Sequence, residues 1–464
     1  MINRISISAL VASLFVLSGC GGSGGSTAEE KLSARLTVNL EAASNGVGIE
    51  AFMLPDSDDF DNIPQDPNNP ITAAKVELGQ MLYHETALAT AGVNSGRTGT
   101  WSCASCHHAA AGFKAGVVQG IAEGGEGFGI AGETRVLVSG FDALSSDPTL
   151  VPDVQPVTSP AVLNVAFQEV MLWNGQFGNM EGGFVNIGLD DNVLSTPGTP
   201  KAHNSRQLAG VEIQAVAGLG VHRLSVTDDS ILQTNADYQA LFNAAFPDGS
   251  DDVLEDAAKA IAAFERTIIA NQSPFQLWLR GDQNAMSAEE LRGANLFFES
   301  GCSDCHRGAA FSSDVGATED EIFFAIGFAD FDPNNSAVTG NVPENAAKGR
   351  GGFTGESSDD YKFKIPQLYN LADTNVFGHG ASFDSVRDLV AFKNTGLSQK
   401  LLPEGVLDSR VVPLGLSEQE IDDLTAFLET ALYDPNLERF VPSSVPSGNC
   451  TPVNDAIAQI DLGC

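Results

Sequence analysis

Two short cysteine motifs carry the chemistry that this sequence shows most clearly, CASCH at residues 103–107 and CSDCH at residues 302–306. Two thiols on one helical turn can both add to the vinyl groups of a single porphyrin, and the adjacent histidine can bind its iron. A zinc site of four thiolates is the alternative, but it leaves both histidines without a role. The sequence therefore predicts two covalently bound c-type haems. The attaching cysteines are Cys103, Cys106, Cys302 and Cys305, and the iron ligands are His107 and His306.

The N-terminus has the pattern of a bacterial export signal. Arg4 precedes an apolar run over residues 5–17, which is too short to span a membrane and fits a signal-peptide core. The run ends in LSGC at 17–20, which resembles a lipoprotein cleavage site, so Cys20 is the predicted lipid-attachment residue. Plain secretion with an unmodified Cys20 is the alternative. Because glycine rather than aspartate follows Cys20, we expect an exported lipoprotein on the periplasmic side or the surface of the outer membrane.

Two cysteines remain in the C-terminal tail, Cys450 and Cys464. An oxidising compartment favours a disulfide between them, closing a short loop that contributes about 3 kcal/mol at most. Two free thiols are the alternative.

The composition limits the partners of the chain. With 464 residues, 43% of them hydrophobic, it is long enough to bury two sizeable cores. Sixty acidic residues against 24 basic ones give a net charge of −36, which excludes a nucleic-acid partner. Such a surface can steer a basic electron-donor protein, or it can simply keep an exported protein soluble.

The segments around the two cysteine motifs repeat each other. GQMLY at 79–83 precedes the first motif, and GANLF at 293–297 precedes the second. The cysteine lies 24 positions after the glycine in the first copy and 9 positions after it in the second. Two related units with loops of different length explain this pattern.

Helical signals outnumber strand signals. The residue pairs Ser287 with Glu290 and Ser417 with Glu420 form capping boxes, and residues 255–270 have the spacing of an amphipathic helix. Glycine-rich loops surround residues 124–132 and 349–355. We therefore expect a mainly α fold with long irregular loops.

Four longer stretches resemble the bacterial di-haem cytochrome c peroxidase and MauG superfamily. They are KVELGQMLYHETAL (75–88), SPAVLNVAFQEVMLWNGQF (159–177), AIAAFERTIIANQSPFQLWLRGD (260–282) and FKIPQLYNLADTNVFGHGASF (363–383). With both haem motifs, the resemblance spans residues 70–435 in the order of the family.

The resemblance implies two cytochrome c-like haem domains that face each other. The N-terminal haem reacts with peroxide, the C-terminal haem passes electrons to it, and Trp173 matches a tryptophan between them. The predicted organisation is a lipoprotein signal peptide (1–19), a tether and acidic segment (20–69), an N-terminal haem domain (70–253), a C-terminal haem domain (254–440) and a disulfide-bonded tail (441–464).

The distal side of the first haem departs from the peroxidase pattern. The segment 212–215 matches a family segment that begins with glutamate, and His222 or Arg223 then falls where the peroxidases place an acid/base glutamate. His222 can move a proton near neutral pH, and Arg223 can stabilise negative charge on oxygen. His222 as a structural loop residue is the alternative, and Glu212 and Glu123 are the further acidic candidates.

Many peroxidases of the family have a distal histidine on a mobile loop about 16 residues past the first haem histidine. Glu123 is the residue at that distance here, in a loop without histidine. We therefore expect a permanently open first haem.

Two further ligand predictions follow from the resemblance. The family often holds calcium between its domains: Thr374 matches one contributor, but Thr158 replaces an asparagine and Val376 a proline, and calcium remains an open alternative. The second axial ligand of the C-terminal haem is methionine in peroxidases and tyrosine in MauG-like members. The corresponding residue is Lys393, 14 positions after His379. A solvent-facing Lys393 is the alternative.

Three functions agree with these predictions. The first is reduction of hydrogen peroxide with electrons from a small cytochrome or copper protein. The second is a MauG-like oxidase that modifies residues of a partner protein. The third is a non-catalytic electron-transfer cytochrome, which an open first haem argues against.

Overall fold

The computed structural model describes residues 26–178, 204, 206–313, 316–331 and 337–464. The predicted signal peptide and Cys20 lie outside the described residues. Among the residues that are described, no helix combines the length and the apolar character that crossing a membrane requires.

The described chain is mostly helical, with long connecting loops and very little sheet. Its helices are α1 (Ala28–Ala43), α2 (Ala73–His84), α3 (Gly210–Val221), α4 (Ile231–Thr234), α5 (Ala236–Ala245), α6 (Val253–Thr267), α7 (Pro274–Leu279), α8 (Ala288–Glu299), α9 (Glu319–Ile322), α10 (Glu344–Ala347), α11 (Arg350–Thr354), α12 (Val386–Thr395), α13 (Glu418–Ala426) and α14 (Ala456–Leu462). The prediction of a mainly α fold with irregular loops is confirmed.

The described strands are two residues long and pair as antiparallel couples. They are β1 (Gly125–Glu126) with β2 (Val136–Leu137), β3 (Val170–Met171) with β4 (Phe177–Gly178), and β5 (Phe323–Phe324) with β6 (Phe363–Lys364). These short ladders join neighbouring loops, and Val170 of β3 and Phe323 of β5 belong to a small buried cluster.

Two similar helix pairs explain the internal repeat. Helix α2 packs on α6, and helix α8 packs on α13. A Cβ atom on Gly79 of α2 would overlap the backbone of Ala260, and one on Gly293 of α8 would overlap the backbone of Asp423. The repeated glycine is therefore the point at which each pair makes its closest backbone approach.

The helix starts follow the local signals in the sequence. Ser287 and Glu290 form a reciprocal capping box at α8, and Ser417 and Glu420 form one at α13, so both predictions are confirmed. The predicted helix at 255–270 is α6, which ends at Thr267. Capping is readable from sequence because its hydrogen bonds join residues only three positions apart.

Two helices pack against parts of the chain that lie outside the domain segments predicted for them. Helix α1 lies within the predicted tether, yet its Leu36 and Leu40 are fully buried and Asn39 donates a 2.9 Å hydrogen bond to Asn295 of α8. Helix α6 falls in the predicted C-terminal segment, yet it packs on α2 and α3. The domain boundaries thus remain predictions, and the helix pairs favour grouping α6 with the N-terminal half.

The second glycine-rich loop contains a short helix, α11, where the sequence predicts irregular structure. Gly349 and Gly355 flank it with positive φ values of 58° and 75°. Its first residue, Arg350, is buried and binds Glu319 at 2.9 Å and the carbonyl oxygen of Gly175 at 3.2 Å. These distant contacts, absent from any local pattern, fix the turn.

The C-terminal tail packs against the first cysteine motif. Cys450 and Cys464 form a disulfide, which is the pairing that the sequence predicts. The hydroxyls of Ser102 and Ser105 donate hydrogen bonds of 2.8 and 3.0 Å to the carbonyl oxygen of Pro452. The tail therefore supports the turn that carries Cys103 and Cys106.

Candidate functional site

The first cysteine motif forms one 3-10 turn, Cys103–Ser105, beside helix α2. The Tyr83 hydroxyl donates a 2.6 Å hydrogen bond to the carbonyl oxygen of His107, which ties the motif to that helix. Cys103, Cys106 and His107 line one cavity, here called the N-terminal cavity. Burial, with the nearby His222 adding to it, lowers the pKa of His107 to about 4. His107 is therefore neutral, as a metal-binding imidazole must be.

The second cysteine motif repeats this arrangement. Cys302, Cys305 and His306 line a cavity of about 510 Å³, here called the C-terminal cavity. The Nδ1–H group of His306 can donate to the carbonyl oxygen of Phe311, 2.9 Å away. This contact orients the ring and leaves Nε2 for the iron. Burial lowers the pKa of His306 to about 4, so it too is neutral.

The cysteines fit two haems and do not fit one zinc ion. All four motif cysteines are free of disulfides, and the two pairs line separate cavities. Four thiolates of one structural zinc site would have to surround a single metal. Each cavity instead joins two thiols with one neutral histidine, which is the donor set that covalent haem attachment needs.

One wall separates the two cavities. Four residues line both of them, namely Pro160, Ala161, Gln168 and Lys364. The Lys364 ammonium donates to the side-chain oxygen of Gln168, and burial lowers the pKa of this lysine to about 8. A buried basic group therefore lies between the two haem-attachment sites.

Trp173 lies at the same wall. Its neighbour Leu172 lines the N-terminal cavity, and Trp173 itself lines the C-terminal cavity. Its indole N–H donates a 2.8 Å hydrogen bond to the carbonyl oxygen of Thr158, and its own carbonyl accepts one of 2.8 Å from the Lys364 backbone. The ring is thus held in one orientation at the C-terminal cavity, and its place between two haems stays a prediction.

His222 lines the N-terminal cavity together with His107. It caps the C-terminus of α3, and its Nδ1 lies 2.9 Å from a carboxylate oxygen of Asp153. Burial acts to lower its pKa, but the Asp153 carboxylate outweighs burial, so the pKa of His222 is raised. With Nδ1 engaged, Nε2 is the nitrogen that remains for proton transfer.

Arg223 and Glu123 bind each other beside this cavity. The Glu123 carboxylate is fully buried and accepts hydrogen bonds from the Arg223 guanidinium and from the backbone N–H groups of Val93 (3.0 Å) and Asn94 (2.8 Å). These contacts give both side chains a structural role. Neither Arg223 nor Glu123 is one of the described residues that line the N-terminal cavity.

Glu212 lies away from the described cavity wall and belongs to a buried ion pair. Its two oxygens accept hydrogen bonds of 2.9 and 2.6 Å from Arg266, and both side chains are fully buried. Burial acts to raise its pKa, but Arg266 outweighs burial and lowers it. A carboxylate held in this way is a poor proton carrier, so the structure does not support the catalytic assignment of Glu212.

Lys393 and Thr374 both line the C-terminal cavity. The Lys393 ammonium lies 4.5 Å from the centre of the Phe328 ring. Burial lowers its pKa to about 8, against the opposing effect of Cys305 and Cys302. The structure therefore places Lys393 in the cavity of His306, and its role as the second axial ligand stays a prediction.

Three residues that sequence reasoning missed also belong to these sites. Asp153 has no motif around it, and only folding brings it to His222. Lys364 lies in the stretch 363–383 that resembles the family, but no local sequence pattern predicts that this lysine is buried. Glu265 lines the N-terminal cavity but lies outside both cysteine motifs, and burial together with Glu212 raises its pKa to about 8.

The structure gives no support for the calcium site that the resemblance leaves open. The Thr158 hydroxyl donates a 2.8 Å hydrogen bond to the carbonyl oxygen of Gly378, and the Lys114 ammonium donates one of 2.6 Å to that of Val376. Across the described residues, no group of three or more histidine, cysteine, aspartate or glutamate side chains can hold a metal ion. The Lys114 ammonium occupies the Val376 carbonyl oxygen that calcium would need. This arrangement does not fit a calcium ion, because the two positive charges would repel each other.

The chain is similar to known di-haem proteins. The sequence model of the family described as di-haem cytochrome c peroxidase matches residues 73–284. The methylamine utilization protein MauG of Methylorubrum extorquens is 26% identical over 419 residues, covering 89% of this chain and 92% of that protein. The cytochrome c551 peroxidase of Nitrosomonas europaea is 26% identical over 385 residues, covering 82% of this chain and 87% of that protein.

A solved structure has the same fold. It is the crystal structure of a MauG-like protein associated with microbial copper homeostasis, with a TM-score of 0.54 and 21% identity. The match covers 84% of this chain and 96% of that chain. The family model, which includes the first cysteine motif, and the two relatives support assignment of the chain to the di-haem cytochrome c peroxidase and MauG superfamily.

Proposed function

We propose that this protein is a di-haem peroxidase that reduces hydrogen peroxide at the N-terminal cavity, with electrons relayed from the C-terminal cavity past Trp173. Haem bound at the two motifs supplies iron that exchanges electrons with peroxide and with a donor. The observation that carries the proposal is the pair formed by His222 and Asp153 in the cavity of His107. A peroxidase needs such a proton carrier, and a simple electron carrier does not.

His222 is the proposed proton carrier. Reduction of one peroxide molecule to two waters consumes two electrons and two protons, and one oxygen must lose a proton before the O–O bond breaks. The Nε2 atom of neutral His222 takes that proton and returns it to the departing oxygen. Asp153 holds the ring by Nδ1 and stabilises the positive charge that the ring carries between these two events.

The wall between the cavities has the proposed role of an electron path. Trp173 is fixed there by hydrogen bonds at its indole nitrogen and at its carbonyl oxygen. The buried Lys364 supports electron passage because a positive charge in a low-dielectric wall favours the reduced state of either neighbouring site. Replacing Lys364 with methionine is expected to lower both reduction potentials, measured by spectroelectrochemistry.

Turnover with a reduced electron donor tests the proposal. A peroxidase oxidises reduced cytochrome c rapidly and in proportion to added peroxide. Negligible steady-state turnover, with both haems attached, would reject the peroxidase function. Trp173→Phe tests the electron path. It removes the indole N–H and part of the ring while the cavity wall keeps an aromatic side chain, so turnover should be slower than in the wild-type protein.

A MauG-like oxidase is the second candidate, and Lys393 is the observation that favours it. A lysine nitrogen on the second haem, where peroxidases have methionine, would give a lower potential and disfavour rapid uptake of electrons from a donor. For this function, turnover with cytochrome c is negligible, and peroxide addition instead modifies residues of a partner protein, measured by mass spectrometry.

We propose that the protein acts outside the cytoplasm on a lipid anchor at Cys20. Covalent haem motifs and the disulfide between Cys450 and Cys464 both suit an oxidising compartment. The wild-type protein should partition into the detergent phase after export, and Cys20→Ser should move it to the aqueous phase. Equal partitioning of the two would reject the anchor.

A further inference from the structure

A partly buried lysine, Lys114, links the two halves of the molecule. Lys114 follows the first cysteine motif and pairs with His108 in an isolated bridge. Its side chain reaches the segment 374–379, which follows the second motif in the chain. Lys114 and most of this segment line the C-terminal cavity.

The Lys114 ammonium is bound to the backbone and not to an acid. Its Nζ atom donates a 2.6 Å hydrogen bond to the carbonyl oxygen of Val376 and lies 5.7 Å from the centre of the Phe377 ring. Among the described residues, no carboxylate lies within ion-pair distance of it. Burial lowers the pKa of Lys114 to about 8. Withdrawing a cation partly from water without a counter-ion costs free energy, so the position needs a specific explanation.

Thr158, which like Lys114 belongs to the N-terminal half, binds the same segment. Its backbone N–H donates to the carbonyl oxygen of His379 at 2.9 Å, and its hydroxyl donates to that of Gly378 at 2.8 Å. Its own carbonyl accepts the indole N–H of Trp173 at 2.8 Å. Lys114 and Thr158 therefore bind three carbonyl oxygens of the segment 374–379. Trp173 is linked to the same segment through its hydrogen bond to Thr158.

Backbone carbonyl oxygens that converge between two domains are typical ligands of calcium, a hard cation that needs six to eight oxygen donors. Here the donors of the protein already use these oxygens, and the Lys114 ammonium brings a positive charge to that of Val376. An ammonium group and a calcium ion cannot bind the same Val376 oxygen together, because their charges repel at that distance.

We propose that the Lys114 ammonium replaces an interdomain calcium ion and, with Thr158, holds the segment 374–379 and Trp173 in place without a divalent cation. The proposal does not depend on the reaction that the protein catalyses. The protein is accordingly independent of calcium. The cost of partly burying Lys114 is offset by its hydrogen bond between the two halves of the protein.

Calcium binding to the haem-loaded, full-length protein is the first test. After treatment with a chelator, isothermal titration with calcium chloride should give no stoichiometric binding, and the thermal unfolding midpoint should be the same with calcium or chelator. Binding of one calcium ion, together with a lower unfolding midpoint in the chelator, would overturn the proposal. This test uses the wild-type protein and so does not depend on the folding of any variant.

Hydrogen exchange of the segment 374–379 is the second test. Lys114→Met keeps the length of the side chain but removes its charge and its donor, and it should speed exchange in this segment roughly 10-fold or more. Lys31→Met is the matched control, since Lys31 is exposed on α1, and it should leave the segment unchanged. Equal exchange in the two variants would show that Lys114 does not hold the segment.

Discussion

At the scale of single residues, the proposed reaction depends most on His222. If Nε2 of His222 moves the peroxide proton, His222→Gln should slow the reaction with peroxide about 100-fold or more, the usual scale for the loss of an acid/base group. Stopped-flow absorbance measures this rate. The haem spectra should change little, because Asp153 can still accept a hydrogen bond from the glutamine amide.

Glu265→Gln is the comparison variant for this prediction. Glu265 lines the same cavity and has a raised pKa, but His222 has Asp153 and not Glu265 as its hydrogen-bond partner. If Glu265→Gln slows the reaction and His222→Gln does not, Glu265 is the proton carrier and His222 is a structural cap.

The pairing of His222 with Asp153 predicts a particular pH dependence. The carboxylate raises the pKa of His222, and only the neutral ring can take a proton, so the rate should fall as the pH falls through that pKa. In Asp153→Asn the burial effect remains and the raising effect is lost. The acidic limb of the rate profile should therefore move to lower pH. A limb that stays in place would mean that another group titrates.

Lys393 allows a spectroscopic prediction. As an axial ligand, its neutral amine would be replaced by a thioether in Lys393→Met, which should produce a ferric absorption band near the red edge of the spectrum and raise the reduction potential of the C-terminal haem. Burial lowers the pKa of Lys393 to about 8, so binding to iron would need to lower it further to keep the amine neutral. An unchanged spectrum and potential would exclude Lys393 as the ligand.

At the scale of elements, the two repeated glycines set how closely each helix pair packs. In an exposed helix, alanine is favoured over glycine by about 1 kcal/mol. At Gly79, however, the added methyl group would overlap the backbone of Ala260, and such overpacking costs about 1–3 kcal/mol. Gly79→Ala should therefore lower the denaturant midpoint of the haem-loaded protein. Glu77→Ala, on the exposed side of the same helix, is the control and should change stability little.

The sequence predicted these elements well where the determining contacts are local. Both capping boxes and helix α6 depend on residues a few positions apart, and all three were predicted. Helix α11 was missed because distant contacts of Arg350 fix it. The packing of α1 on α8 was missed for the same reason, since Leu36 and Leu40 alone do not name their partner.

The same distinction applies to the candidate site. The haem motifs could be predicted because the chemistry of attachment fixes their spacing. Asp153, Lys114 and Lys364 could not be predicted as parts of the site, since each gains its role only from a residue far away in the chain. Arg223 was expected at the cavity, but its pairing with the buried Glu123 turns it away.

At the scale of the whole molecule, the C-terminal tail and the loop after the first motif form one unit. The buried Arg135 of this loop binds Asp455 of the tail at 3.5 Å, and the Asp461 carboxylate accepts hydrogen bonds of 2.9 Å from the backbone of Phe128 and Gly129. The disulfide closes the tail around these contacts. A loop fastened at several points is poorly suited to swing a ligand onto and off the haem.

The same unit predicts that the first haem is open in the protein as isolated. The loop has no histidine over residues 109–137, and its buried acid, Glu123, is engaged by Arg223 and two backbone N–H groups. Electron paramagnetic resonance of the ferric protein should therefore show a high-spin signal, and cyanide should bind without prior reduction. His222 is the one described histidine besides His107 that lines this cavity, so it is the residue to test if the spectrum is purely low-spin. A low-spin signal that becomes high-spin in His222→Gln would make His222 an axial ligand and end its proposed role as proton carrier. A low-spin signal that persists in that variant would reject the open site itself.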